Sequence, residues 1–90
     1  MLNHIARTTF LKEIELMLKT VLEVDELDFP LTFETNLVSG VGTNTLNLSS
    51  IDYVDFLVCV ENAFDIIYDF DVTLYTIEDI YNYVIAYNRT

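Results

Sequence analysis

Basic residues are nearly missing from this chain. Four lysines and arginines face 15 aspartates and glutamates, for a net charge of -11 over 90 residues. The four are Arg7, Lys12, Lys19 and Arg89, so the whole stretch between Val21 and Asn88 lacks a cation. A nucleic-acid binder needs cations to displace the counterions condensed on phosphates, and this chain is not built for that work. Binding to anionic lipid is disfavoured on the same ground. Cysteine is limited to Cys59 and histidine to His4. One thiol cannot form an internal disulfide. A Cys–His pair or a Ser–His–Asp triad would hang on His4, near a terminus, and no oxyanion-hole motif accompanies it. Acids around Cys59 would not favour its thiolate, so a small buried cysteine is the simpler reading. No run reaches about 18 apolar residues, which excludes a spanning helix. MLNHIARTTF lacks the charged start and apolar core of a secretory signal, so a cytoplasmic domain is expected.

What is present is apolar patterning. Hydrophobic residues make up 52% of the chain, enough for one small core and too little length for two, so residues 1–90 are read as a single domain. Three segments carry helical periodicity. The first runs from about Thr8 to Leu22, with Phe10, Ile14, Met17, Leu18 and Val21 in one stripe. The second starts at Ser49 or Ser50 and reaches about Phe64. The third runs from Thr76 to about Tyr87, where TIED fits a cap in which Thr76 accepts an amide bond and Asp79 sits in the positive first turn.

Between the first two helices, residues 23–48 hold Pro30 and both glycines, Gly40 and Gly42. A loop this long is expected to pack or to function. Leu27, Phe29, Leu31, Phe33, Leu37 and Val38 favour packing across the helices, with a brief strand over Phe29 to Phe33 conceivable. IIYDFDVTLY, between the second and last helices, has room for one short helical turn. Neither this segment nor the loop carries a recognisable ion site. Asp69 and Asp71 resemble the start of a calcium loop, but its sixth position is not glycine and its twelfth is Ile80. SGVG lacks the spacing and the lysine of a phosphate-cradling loop. No catalytic constellation emerges, and the chain is not expected to be an enzyme.

On a helical wheel the second helix has two faces. Tyr53, Phe56, Leu57, Val60 and Phe64 gather on the side expected to face the core. Opposite them Ile51, Val54 and Val58 are interleaved with Asp52, Asp55, Glu61 and Asp65. Two readings of that mixed face are open. It meets a partner offering both apolar contact and cations, or the long loop lies over Ile51, Val54 and Val58.

LNLSSID, at the head of this helix, resembles the LGLDSLD-type motif of acyl carrier proteins and of the carrier domains of polyketide and peptide synthases. Val54, Glu61, Phe64, Asp65 and Ile66 follow Ser50 at the family's spacing, ending in E-x-x-F-D-I. TIEDIYNYV resembles the family's last helix, and FETNLV resembles its approach to the serine. The likeness covers about Phe33 to Val84 and is most specific from Ser50 to Ile66. It departs from the family at Ser49, where an aspartate is usual, around Gly40 to Thr45, which looks extended, and between Phe64 and the last helix, which looks shortened.

The resemblance implies an all-α, four-helix bundle with a long loop between helices 1 and 2 and a short third helix. It implies a 4'-phosphopantetheine arm esterified to Ser50, whose thiol carries acyl groups as thioesters. It further assigns Ile51, Asp52, Val54, Asp55, Val58 and Glu61 to recognition by partners. Those partners would be a phosphopantetheinyl transferase and acyl-transferring or condensing enzymes with basic docking patches, serving a monomeric shuttle that neither binds nucleic acid nor inserts in membranes. A peptidyl carrier, or an unmodified interaction module of the same fold, is the alternative. Local physics is compatible with an arm. With Ser49 as cap, Ser50 is the first helical residue, and a phosphodiester there would lie beside unpaired amides at the helix's positive end.

Overall fold

Helix α1, Arg7–Leu22, has little at its own start to hold it: Ala6 supplies no side-chain cap, and no acid stands in the first turn. Its stability comes from the stripe Phe10, Ile14 and Leu18, each fully buried. Fully burying side chains of this size contributes about 1.5–3 kcal/mol each. The helix ends where Glu23 turns left-handed, at φ 58°. There the amides of Glu23 and Val24 return to the carbonyls of Thr20 and Lys19, the double closure typical of helix C-termini.

The structure, a computed structural model, describes residues 6–27, 30–38, 44–69 and 73–88. Among them are two further helices, α2 (Ser50–Phe64) and α3 (Ile77–Asn88), and no strand. The chain is therefore small and mostly helical. The helix starting points and the core stripes agree with the periodicity. Phe56, Leu57, Val60 and Phe64 of α2 are buried, and Ile77, Ile80 and Val84 of α3 meet them in one core with the α1 stripe. Phe10 sits at its aromatic centre, with ring centroids 5.3 Å from Phe64, 5.0 Å from Tyr81 and 6.2 Å from Phe33. Arg7 closes the outer edge of this cluster. Its guanidinium lies 3.8 Å from the Phe33 ring centroid and 3.6 Å from a Glu78 carboxylate oxygen.

The long loop packs, as its apolar content predicts. Phe33, Leu37 and Leu48 are buried, and Leu27, Leu31 and Val38 are half-buried against the core. Backbone bonds stitch the loop to itself and to the start of α3: Leu46 N–H to Asn36 O, Leu48 N–H to Leu37 O, Ile77 N–H to Thr35 O, and Glu78 N–H to Phe33 O. The buried Thr35 hydroxyl donates to Asn44 Oδ1 at 2.7 Å and accepts from the Thr32 amide, so its burial leaves no unmet polar group. Strand-like pairing is confined to isolated bridges of Asn36 with Thr45 and Thr76. The expected strand is absent over the described part of its range, while Phe29, Gly40, Gly42 and SGVG lie outside the described residues.

The connection from α2 to α3, where a short turn is expected, is not helical at residues 66–69 or 73–75, and residues 70–72 of that segment lie outside the described residues. Side chains hold this strap in place. The Tyr68 amide donates to Glu61 Oε2 at 2.6 Å. The Tyr53 hydroxyl donates to Leu74 O at 3.1 Å and accepts from its amide at 3.3 Å. The Tyr83 hydroxyl accepts from the Asp69 amide and donates to Ile67 O. Buried Tyr68, Ile66 and Leu74 complete the core beneath.

Candidate functional site

Leu48 is buried and its amide is tied to Leu37, which fixes the point from which the chain enters α2. One residue earlier Asn47 turns the backbone left-handed, at φ 49°, a conformation asparagine tolerates better than most residues. Ser49 then caps the helix. Its hydroxyl oxygen accepts from the Asp52 amide at 3.1 Å, and its carbonyl accepts from the Tyr53 amide at 2.8 Å. Ser50, the first helical residue, is exposed, and its hydroxyl has no hydrogen-bond partner among the described residues. The two serines thus differ in kind: one hydroxyl is engaged by the backbone and the other is presented to solvent.

Behind Ser50 the outward face of α2 is bare. Ile51 is 74% exposed, Val54 43% and Val58 41%. The described part of the long loop does not cover them, so the reading in which the loop lies over this face does not hold for the described residues. Asp55 and Asp65 are exposed beside them and Asp52 is half-exposed, with no cation on the helix. An open depression of about 350 Å³ lies over the first turns, with Ser50, Ile51, Val54 and Asp55 as its described walls. Those walls are almost wholly apolar.

Glu61 differs from the other acids assigned to this face. It is half-buried and its carboxylate accepts the Tyr68 amide, so it serves the strap as well as any surface role. Spacing along α2 placed it on the recognition side and gave no sign of that internal bond, because its partner lies beyond the helix end. Tyr53 is likewise half-buried at the edge of the core, with its hydroxyl facing the strap. Next to it, burial pushes the Tyr68 phenol above the ordinary tyrosine range, helped by its hydrogen bond with Tyr53. Cys59 is half-buried and unpaired with any other thiol. Among the described residues no three His, Cys, Asp or Glu side chains converge to hold a metal ion, and no helix is long and apolar enough to cross a membrane.

The sequence matches no protein-family model, no curated protein and no solved structure.

Proposed function

We propose that this chain is a free-standing carrier protein that bears a 4'-phosphopantetheine arm on Ser50 and passes acyl groups between partner enzymes. The observation that carries this reading is the division of labour between neighbouring serines. Ser49 Oγ caps the helix, while Ser50 Oγ is exposed and unbonded at the first helical position. Four amides at a helix start lack intrahelical partners, and Ser49 occupies one of them. The remainder, with the positive end of the helix, suit the phosphodiester that would tether such an arm. The arm's terminal thiol would supply the thioester chemistry. The chain's own residues hold the attachment point at the surface and present Ile51, Val54 and Val58 among Asp52, Asp55 and Asp65 to basic enzyme surfaces.

In this reading the fold is a four-helix carrier bundle with its third helix reduced to a turn within the strap, and the protein works as a cytoplasmic monomer in fatty-acid, polyketide or related biosynthesis. A peptidyl carrier would use the same attachment serine. The bare apolar stripe of α2 also fits an unmodified interaction module, which would bind partners regardless of Ser50.

The test is incubation with coenzyme A and a set of phosphopantetheinyl transferases, read by intact mass. Wild type gains one phosphopantetheine, Ser49→Ala still gains it, and Ser50→Ala gains nothing. No gain with any transferase, or a gain that persists in Ser50→Ala, rules out the assignment. Partner binding unaffected by Ser50→Ala would then favour the unmodified module.

A further inference from the structure

The strap is fastened differently from the helices on either side of it. Beyond Ile66, whose amide still returns to the Glu61 carbonyl, the described bonds between the strap and α2 or α3 run through side chains. Glu61, in the last turn of α2, takes the Tyr68 amide at 2.6 Å. Tyr83, in the middle of α3, takes the Asp69 amide at 2.9 Å and donates to Ile67 O at 3.3 Å. Tyr53, in the first turn of α2, takes the Leu74 amide at 3.3 Å and donates to Leu74 O at 3.1 Å. These bonds belong to neither helical ladder, so breaking all of them leaves the backbone bonds of α2 and α3 in place. The three clamps also meet at one residue. Tyr68 is buried, its amide is held by Glu61, its ring lies edge-on to Tyr83 with centroids 5.4 Å apart, and its side chain is hydrogen-bonded to Tyr53. Moving Tyr68 therefore disturbs all three clamping side chains at once.

We propose that the strap is a latch, releasing from α2 and α3 as one unit through its shared contact at Tyr68 while the three helices stay folded. Openings of this kind follow contiguous cooperative segments and cost less than unfolding the domain. Release unseats Tyr68 and Leu74, which are buried in the closed form. It also bares the flank of α2 that carries Tyr53, whose sequence neighbours Asp52 and Val54 belong to the face proposed for docking. The latch thus changes the surface beside that face, and it stands whether or not Ser50 is modified.

Each clamp accepts from one strap amide, so amide hydrogen exchange reads all three: Tyr68 for Glu61, Asp69 for Tyr83 and Leu74 for Tyr53. The full chain is followed by NMR in increasing, sub-denaturing urea. The three amides should share one protection factor, lower than that of Ile14 and Leu18 in the core stripe of α1. Their urea dependence should also be shallower, because releasing the strap exposes less surface than unfolding. Tyr53→Phe removes one hydroxyl and keeps the ring. It should speed exchange at Leu74 about tenfold, and at Tyr68 and Asp69 by the same factor. Tyr83→Phe should likewise speed all three from the α3 side. Unequal protection in wild type, or acceleration confined to Leu74 in Tyr53→Phe, would mean that the clamps act separately and would overturn the latch. So would strap amides with the protection and urea slope of Ile14 and Leu18, since the strap would then open only when the domain unfolds. The wild-type urea series decides that point without any substitution.

Discussion

At the scale of single residues, Ser49 and Ser50 are adjacent and chemically identical, yet the backbone gives them different work. Ser49 stands just outside the helix with extended geometry, where its oxygen reaches the Asp52 amide. Ser50 already has helical geometry, and its exposed hydroxyl makes no hydrogen bond among the described residues. Replacing a serine cap with alanine costs about 1 kcal/mol, within a range of about 0.5–2. Ser49→Ala should therefore lower the free energy of urea unfolding by that amount. Ser50→Ala should stay within about 0.5 kcal/mol of wild type, as an exposed residue without a partner does. Equal losses in the two variants would mean that Ser50 also serves the fold, and the division of labour would fail.

Among elements, the strap between α2 and α3 behaves unlike the helices. Helix starts at Ser49 and Thr76 were legible because a cap acts over three residues: Thr76 Oγ1 accepts from the Asp79 amide while Asp79 Oδ2 accepts from the Thr76 and Tyr75 amides. Core stripes were legible for the same reason, since one turn repeats the next. The strap was not. Its bonds join Glu61 to Tyr68, Tyr53 to Leu74 and Tyr83 to Asp69, pairs with no fixed spacing that depend on where the strap lies against α2 and α3. Nor did periodicity decide whether the loop covers Ile51, Val54 and Val58, because coverage depends on where the loop crosses. Hydrogen bonds to charged groups contribute about 1.5–3 kcal/mol. Glu61→Ala, which leaves the Tyr68 amide without its acceptor, should lose about 1–3 kcal/mol of stability and speed exchange of that amide. Glu61→Gln keeps an acceptor and should lose less. A Tyr68 amide equally protected in Glu61→Ala would show that the strap does not depend on this bond. The same coupling makes Asp55, which is exposed, a cleaner probe of docking than Glu61.

For the whole molecule the governing quantity is charge. A net charge of -11 is spread over a body whose Cα radius of gyration is 12.4 Å. The described cations, Arg7, Lys12 and Lys19, all lie on α1, where Arg7 meets Glu78 and Lys19 meets Glu15. Nothing on α2 or the strap offsets its acids internally. Such a surface favours a basic partner, but it works against the folded chain by self-repulsion. The Debye length shrinks from about 30 Å at 0.01 M salt to about 8 Å at 0.15 M, from well beyond this radius to below it. Repulsion across the molecule should therefore be strong in the first condition and largely screened in the second. Raising NaCl over that interval should raise Tm, and a gain on the order of 1 kcal/mol would appear as about 4–8 °C in a domain of this size. Binding to a basic partner should weaken over the same interval, since the field that destabilises the free protein is the one that attracts its partner. A Tm that stays flat or falls with salt would mean that local pairing outweighs the net charge, and the acidic face of α2 would lose its standing as an electrostatic guide.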